Sequence, residues 1–179
     1  MENPLEQLQF PIGRFTLPSA VTEHEISLAI ERIAEFPQVL KETVTRLPET
    51  KLNTPYRPGG WTVRQVVHHC ADSHMNAFIR FKLALTENDP VIKPYDQAKW
   101  AMQVDYTIDP LISINLLESL HHRWVHLMKA MDTSDWDKSF IHPEYNRVQK
   151  LRQTVMLYAW HGQHHLGHIS NALEMKNEK

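Results

Sequence analysis

Histidine is the residue type with the clearest capacity for chemistry in this chain. There are 12 histidines among 179 residues, and four of them fall between residues 161 and 168. On a helix, His161 and His165 lie one turn apart on the same face. Two imidazoles at this spacing commonly bind one metal ion. His164 and His168 have the same spacing, so spacing alone allows either pair.

The apolar residues around this cluster favour one of the two pairs. His161 and His165 belong to a stripe that repeats at steps of three, four and seven residues, which is typical of a helix face directed toward a core. The other members of the stripe are Leu151, Tyr158, Ala172 and Met175. His164 lies roughly 60° away from it. We therefore predict that His161 and His165 are metal ligands.

A third ligand must come from another helix, and the segment 62–86 offers three histidines. His69 lies at the edge of that segment's apolar stripe, in line with the polar residue Ser73. His68 lies about 100° further round the helix, toward solvent. His74 falls within the apolar stripe, where a buried and hydrogen-bonded histidine is expected. We therefore predict His69 as the third ligand.

Three neutral imidazoles would leave the full charge of a divalent ion and at least one coordination position open to water or substrate. This arrangement is typical of catalytic metal sites rather than structural ones. Zinc is the expected ion, although imidazole ligands also accept nickel, iron, cobalt or manganese. No general base is assigned, and the candidates for that role are His68, His164, His168 and Glu144.

The remaining histidines are expected to have ordinary roles. His121, His122 and His126 include another pair four residues apart, and we interpret them as the polar face of a third helix. His24 and His142 are predicted to lie at the protein surface. None of these five residues enters the predicted metal site.

The composition is that of a folded globular protein, with 42% hydrophobic and 22% charged residues. A net charge of −2 gives no basic footprint for nucleic acid. No apolar run is long enough for a transmembrane helix, and the N-terminus lacks the features of a signal peptide. The single cysteine, Cys70, excludes an intrachain disulfide and fits a cytoplasmic protein. It lies in an apolar stripe and is predicted to be a buried, unreactive thiol.

Hydrophobic spacing predicts four long amphipathic helices, over residues 22–47, 62–86, 109–131 and 148–175. Thr22, Thr62 and Asp109 are the expected N-caps, and Pro37 is expected to kink or split the first helix. Because two of the connections are long, we predict an all-α four-helix bundle with crossover connections. We treat residues 1–179 as one domain in which residues 1–20 form an extended N-terminal arm.

Two segments resemble the motifs of the DinB-like superfamily, and the resemblance extends over nearly the whole chain. Gly60–Ser73 is similar to a helix motif in which a histidine eight residues after a tryptophan is the first metal ligand, here His69. Tyr158–Ile169 is similar to a C-terminal motif of two ligand histidines separated by three residues, here His161 and His165. The YfiT type within this superfamily implies a metal-dependent hydrolase with a small-molecule substrate, and a homodimer.

The sequence departs from the family pattern directly after the last predicted ligand. Many members have Arg-Gly-Gln there, whereas this chain has Leu166, Gly167 and His168. His168 therefore stands where the glutamine would be and is a candidate to replace it. Two alternative functions remain open. Some members of the family resemble metal-dependent thiol S-transferases of the bacillithiol type, and the bundle could also be a metal-binding or interaction module without turnover.

Overall fold

The fold is a bundle of four long helices with shorter elements in its connections. The computed structural model describes residues 4–144 and 147–174. Its helices are α1 (Pro4–Gln9), α2 (Glu23–Val44), α3 (Glu49–Leu52), α4 (Val63–Thr86), α5 (Gln97–Trp100), α6 (Pro110–Lys129) and α7 (Leu151–Glu174). Since α2 and α4 each pack against both α6 and α7, they occupy opposite corners of the bundle. The predicted four-helix bundle with long crossover connections is confirmed.

Three of the long helices begin at the predicted N-caps. Thr22 accepts a hydrogen bond from the backbone N–H of Glu25, and the Glu25 carboxylate accepts one in return from the backbone N–H of Thr22. Thr62 and Gln65 form the same reciprocal pair at the start of α4. The carboxylate of Asp109 caps α6. Each cap satisfies an amide that has no partner within the helix, so local sequence is sufficient to define these starts.

The proline in the first long helix does not divide it. Helix α2 runs without interruption from Glu23 to Val44, and Pro37 lies buried inside it. Proline removes one backbone donor and crowds the preceding turn. Here Pro37 faces the bundle, and the helix continues on both sides through buried residues such as Ile33 and Leu40. A split of the helix at this proline is therefore excluded, and of the two expected effects only a kink stays a prediction.

The last long helix begins later than predicted because a hairpin precedes it. Strand β1 (Ser139–His142) pairs antiparallel with strand β2 (Arg147–Lys150), so the predicted start at residue 148 falls within a strand. Helix α7 begins at Leu151 and its described part ends at Glu174. Met175, the predicted last member of its core-facing stripe, lies outside the described residues. Two short 3₁₀ turns, Val104–Thr107 and Asp135–Asp137, complete the connections.

The N-terminal arm is not wholly extended, since Pro4–Gln9 form helix α1. The segment that follows lies against α7. The carbonyl oxygen of Gln9 accepts a hydrogen bond from His168 Nε2 at 3.0 Å. Gly167 makes this contact close, because a Cβ at that position would lie 2.7 Å from Cγ of Pro11. The arm thus forms one wall of the region that contains the predicted ligands.

The core consists of two apolar clusters with a layer of histidines between them. On α4, one cluster ends at Ala71 and the other begins at Ala77. On α7, one ends at Ala159 and the buried part of the other resumes at Ile169. His74 of α4 and the four histidines of α7 lie in these gaps, whereas His69 lies within the last turn of the first cluster on α4. No helix within residues 4–144 and 147–174 is long and apolar enough to cross a membrane.

Candidate metal centre

The three predicted ligands meet at the centre of the bundle, where α4 packs against α7. His69 extends from α4, and His161 and His165 extend from successive turns of α7. His161 Nε2 lies 3.4 Å from His69 Nε2 and 3.2 Å from His165 Nε2. Zinc–nitrogen bonds of about 2.0–2.1 Å at tetrahedral angles separate their nitrogens by roughly 3.3 Å. The observed separations therefore fit a single ion bound by these three rings.

A chain of hydrogen bonds determines which nitrogen of His161 carries hydrogen. His121 Nδ1 lies 2.6 Å from the carbonyl oxygen of Ile33, which can only accept, so His121 Nδ1–H donates. His121 Nε2 is then the acceptor at 2.7 Å for His74 Nδ1–H. His74 Nε2 in turn accepts at 3.1 Å from His161 Nδ1–H. The lone pair of His161 is therefore on Nε2, the nitrogen that faces the other two ligands.

This assignment requires neutral rings, and burial keeps them neutral. Burial, with the neighbouring histidines adding a smaller effect, holds the pKa values of His74 and His161 well below the usual value of 6.5. Burial also lowers the pKa of His121 to about 4, against a raising effect of its bond to Ile33. A buried imidazole loses the hydration that stabilises its charged form. At neutral pH each ring in the chain is therefore one donor and one acceptor.

A second and shorter chain orients His165. His168 Nε2–H donates to the carbonyl oxygen of Gln9 at 3.0 Å, so His168 Nδ1 is an acceptor. His165 Nδ1 lies 3.2 Å from it and donates its hydrogen. Burial lowers the pKa values of both rings, which keeps them neutral. The lone pair of His165 is therefore also on Nε2, facing that of His161 with no hydrogen between them.

His69 differs because no group in the described part of the chain forms a hydrogen bond with its Nδ1, which is buried. Burial lowers its pKa to about 3, with smaller contributions from His168 and His164. The indole ring of Trp61 packs against it, with ring centroids 4.6 Å apart. The position of His69 is thus set by packing, while its Nε2 is directed at His161.

The three rings line one cleft of about 500 Å³. Its walls are largely aromatic, and its aromatic side chains other than histidine are Phe10, Tyr56, Trp61 and Trp160. A second cleft, of about 600 Å³, lies on the other side of His161 and is more polar. Arg80, Tyr95 and Glu144 contribute to that second cleft. The histidine cluster therefore borders two clefts rather than lying in a fully enclosed site of the structural kind.

The alternative pair on α7 does not converge in the same way. His168 is engaged by His165 and Gln9. His164 stacks on Trp160 with ring centroids 4.3 Å apart, and its buried Nδ1 has no partner in the part of the chain that the structure describes. Burial lowers its pKa to about 4, with a smaller contribution from His168. Both rings line the aromatic cleft beside the three-histidine cluster.

The other two candidate bases, His68 and Glu144, do not line the aromatic cleft. His68 was expected toward solvent, but it is only 4% exposed. The end of the crossover and the first turn of α6 cover it: its Nε2 lies 3.3 Å from the carbonyl oxygen of Ile108, and its Nδ1 lies 2.7 Å from Ser113 Oγ on α6. Glu144 is exposed and lines the second cleft.

Sequence reasoning missed the part played by two buried histidines. His121 was assigned to a polar helix face, but it is 2% exposed and belongs to the chain that orients His161. Its place four residues after Leu117 and three before Trp124, both buried, is the signal that could have identified it. His74 was correctly expected to be buried and hydrogen-bonded, but its hydrogen bond to the predicted ligand His161 was not foreseen. His142 is buried too, contrary to prediction.

The remaining expectations for these residue types agree with the structure. His24, His122 and His126 are exposed. Cys70 is fully buried, and burial raises the pKa of its thiol. A protonated thiol without access to solvent is a poor nucleophile and a poor metal ligand.

The chain is similar to several known proteins. Proteins of Bacillus cereus (strain 03BB102) and Bacillus thuringiensis subsp. konkukian (strain 97-27), each named "putative metal-dependent hydrolase", are 47% identical over 173 residues, which is 97% of this chain and 99% of theirs. The structure of YfiT from Bacillus subtilis, described as "a probable metal-dependent hydrolase with an unusual four-helix bundle topology", matches with a TM-score of 0.90 and 41% identity over 93% of this chain and 95% of that one.

A second solved structure shows likeness of fold alone. The mycothiol-dependent maleylpyruvate isomerase matches with a TM-score of 0.63 and 14% identity over 82% of this chain and 62% of that one. The model of the DinB superfamily matches residues 32–169, a span that includes all three converging histidines. By this match and by its identity to the Bacillus proteins, the chain belongs to the DinB superfamily.

Proposed function

We propose that this protein is a metal-dependent hydrolase in which His69, His161 and His165 hold one divalent ion. The observation that carries the proposal is the pair of Nε2 lone pairs on His161 and His165, 3.2 Å apart with no hydrogen between them. Two facing lone pairs repel each other, and a cation between them turns that repulsion into attraction. The names of the Bacillus relatives support the same activity.

We propose zinc as the ion, with nickel or another first-row metal as the alternative. Three imidazole ligands suit these borderline metals better than magnesium or calcium, which prefer oxygen. A bound zinc ion would polarise a substrate oxygen and would lower the pKa of a water molecule bound to it toward neutral pH. The chain's own contribution is orientation: His74 and His168 hold two of the rings with their lone pairs inward.

The aromatic cleft gives the proposed site access for substrate and keeps bulk water away from the ligands. His69 and His165 are almost fully buried, whereas Trp61 and Trp160 at the cleft wall are only half-buried. Low local dielectric strengthens electrostatic interactions between the protein and a bound substrate. This environment suits the cleavage of a small molecule.

Metal content tests the site directly. We expect elemental analysis of the purified protein, reconstituted with zinc and freed of excess, to give about one equivalent of zinc per chain. The variants His69→Ala, His161→Ala and His165→Ala should each lose it. The matched control is His122→Ala, because His122 is exposed on α6 and should not affect the content. Zinc retained at one equivalent in all three ligand variants would show that the ion is held elsewhere.

Activity tests the reaction class. Ester, amide and phosphoester substrates should be tried with protein before and after treatment with a chelator. We expect hydrolysis of at least one class, its loss on chelation and its return with zinc. Conjugation of a low-molecular-weight thiol to an electrophile, without any hydrolysis, would replace the hydrolase by a thiol transferase. Metal binding without either reaction would favour a module without turnover.

We also propose that the protein is a cytoplasmic homodimer. The resemblance to the YfiT type supports the dimer, and a single buried cysteine suits a reducing compartment. Light scattering coupled to size-exclusion chromatography should give about twice the chain mass of 21.0 kDa. Fractionation of cells should recover the protein with cytoplasmic markers, and recovery of a monomer or of a membrane-bound protein would contradict the respective part of the proposal.

A further inference from the structure

The aromatic cleft has a distinctive charge. Among its lining residues in the described part of the chain, Arg57 is the only one that carries a permanent charge, and none is an aspartate or glutamate. The second cleft on the far side of His161 is different, because Asp96 and Glu144 line it together with Arg80. Of the two clefts, the aromatic one is therefore the one with a net positive lining.

The loop before α4 holds Arg57 at this cleft. Gly60 N–H donates to the carbonyl oxygen of Arg57, and Gly59 has a φ of +67°, a left-handed conformation that favours glycine. A Cβ at Gly60 would lie 2.7 Å from Cγ of Arg57, so the loop packs directly on the arginine stem. The guanidinium also donates to the carbonyl oxygen of Pro58 at 3.0 Å. The side chain is therefore confined, and no acidic group among residues 4–144 and 147–174 forms an ion pair with it.

Aromatic packing connects this cation to the histidine cluster. The Arg57 guanidinium lies 5.3 Å from the centre of the Tyr56 ring. The Tyr56 ring stacks on His168, with centroids 3.8 Å apart and an interplanar angle of 18°. His168 in turn accepts the hydrogen bond from His165. Arg57 is thus held two stacked rings away from a predicted ligand, on the wall of the same cleft.

Three polar atoms of the cleft lack partners. Arg57 Nε, His69 Nδ1 and His164 Nδ1 are all buried and have no hydrogen-bond partner among the residues that the structure describes. Arg57 also does not occur among the ion pairs of those residues. The Nε–H of Arg57 is always a donor, and a buried donor without a partner is costly and uncommon in folded proteins. Its place at the wall of this cleft points to a ligand that supplies acceptor oxygens.

We propose that Arg57 binds the anionic group of the substrate, a carboxylate or phosphate on a flat and otherwise apolar small molecule. The inference rests on the hydrolase activity proposed above and adds the class of substrate. Guanidinium groups bind carboxylates and phosphates through two parallel hydrogen bonds to a pair of their oxygens. Phe10, Trp61 and Trp160 offer the faces on which a flat molecule packs. A volume of about 500 Å³ suits a ligand of this size.

Binding of two non-hydrolysable anions tests the proposal. The probes are benzoate and phenylphosphonate, and the uncharged control is benzamide, which has the shape of benzoate. Dissociation constants are measured by calorimetry on zinc-loaded protein. We expect at least one anion to bind the parent protein roughly 10- to 100-fold more tightly than benzamide, which is the range for hydrogen bonds to charged groups. The variant Arg57→Gln should lose that advantage, and Arg57→Lys should retain part of it.

The matched control is Arg46→Gln, because Arg46 is an exposed arginine outside the cleft. It should bind both anions as the parent protein does. Equal anion affinity in the parent protein and Arg57→Gln, or no binding of either anion, would overturn the assignment of Arg57. Zinc content is measured in the same samples. One equivalent of zinc with no effect of Arg57→Gln refutes this inference alone, whereas the absence of zinc refutes the proposed metal site.

Discussion

His74 on α4 and His121 on α6 lie in nearly parallel planes, 6° apart, and share a hydrogen bond of 2.7 Å in the middle of the bundle. Both rings are buried, and the pair joins His161 to the backbone of α2. Ligand histidines usually donate their second N–H to a carboxylate, carbonyl or water. Here His161 donates instead to the neutral imidazole of His74, which donates to His121, and only His121 donates to a carbonyl oxygen, that of Ile33.

We predict that His121→Leu weakens zinc binding by about 10- to 100-fold, the range for loss of an outer hydrogen-bond partner. Without His121, the buried Nδ1–H of His74 has no acceptor. The position of the hydrogen on the His161 ring, Nδ1 or Nε2, is then no longer fixed by the chain of hydrogen bonds. The loss should also cost about 1–3 kcal/mol in the free energy of unfolding. Competition with a chromogenic chelator measures the affinity, and chemical denaturation measures the stability. The neighbouring exposed residue supplies the control, His122→Leu, and equal zinc affinity in the two variants would contradict the predicted role.

We predict that His168→Leu weakens zinc binding to a similar extent, whereas His168→Gln largely preserves it. Glutamine has both groups that the second chain needs, an oxygen to accept from His165 Nδ1 and an NH₂ to donate to the carbonyl oxygen of Gln9. Leucine has neither. The zinc affinities of the two variants should therefore differ by about tenfold or more. If both variants bind zinc equally, the hydrogen bonds of His168 have no part in orienting the ligand.

We predict that the metal-free protein loses stability as the pH falls below about 6.5. His69 has a folded pKa of about 3 and His121 of about 4, and the pKa values of His74, His161 and His165 lie well below 6.5. The unfolded chain therefore binds more protons in this range, and protonation favours unfolding. Each such histidine lowers the free energy of unfolding by up to about 1.4 kcal/mol per pH unit until the pH reaches its pKa in the folded state.

Thermal unfolding between pH 8 and pH 5 measures this effect. The melting temperature should be nearly constant above pH 7 and should fall progressively below pH 6.5. Zinc should raise the stability at pH 7 and steepen the loss on acidification, since protons compete with the ion for the same nitrogens. A melting temperature that does not change from pH 7 to pH 5 would contradict the burial of neutral histidines.

We predict that Gly167→Ala loosens the N-terminal arm. Its methyl group would lie 2.7 Å from Cγ of Pro11, so the arm must shift away from α7. The shift would lengthen the bond from His168 to Gln9 and cost about 1–3 kcal/mol, as overpacking usually does. Hydrogen exchange of residues 4–12 should become faster. The control is Ser170→Ala, since Ser170 is exposed on the same helix, and unchanged exchange in Gly167→Ala would show that the arm accommodates the methyl group without moving.

Local sequence was sufficient to predict the four long helices, apart from the exact start of α7, and the three converging histidines. Thr22, Thr62 and Asp109 define helix starts through bonds that span only two or three residues. Since helix geometry is regular, the spacing of His161 and His165 determines that both rings lie on one face. The apolar stripes determine which face turns inward, and the structure brings His69 to the same point. Metal binding by these rings is a proposal, and elemental analysis tests it.

Tertiary structure decided the features that depend on contacts between distant segments. The chain from His161 to Ile33 joins α7, α4, α6 and α2, and no spacing within one helix indicates which histidines meet across the bundle. Arg57 reaches the cleft through a loop whose conformation depends on two glycines and on packing against Tyr56. Helix periodicity determines which face a residue occupies, but the partner that it meets there is determined only when the helices pack.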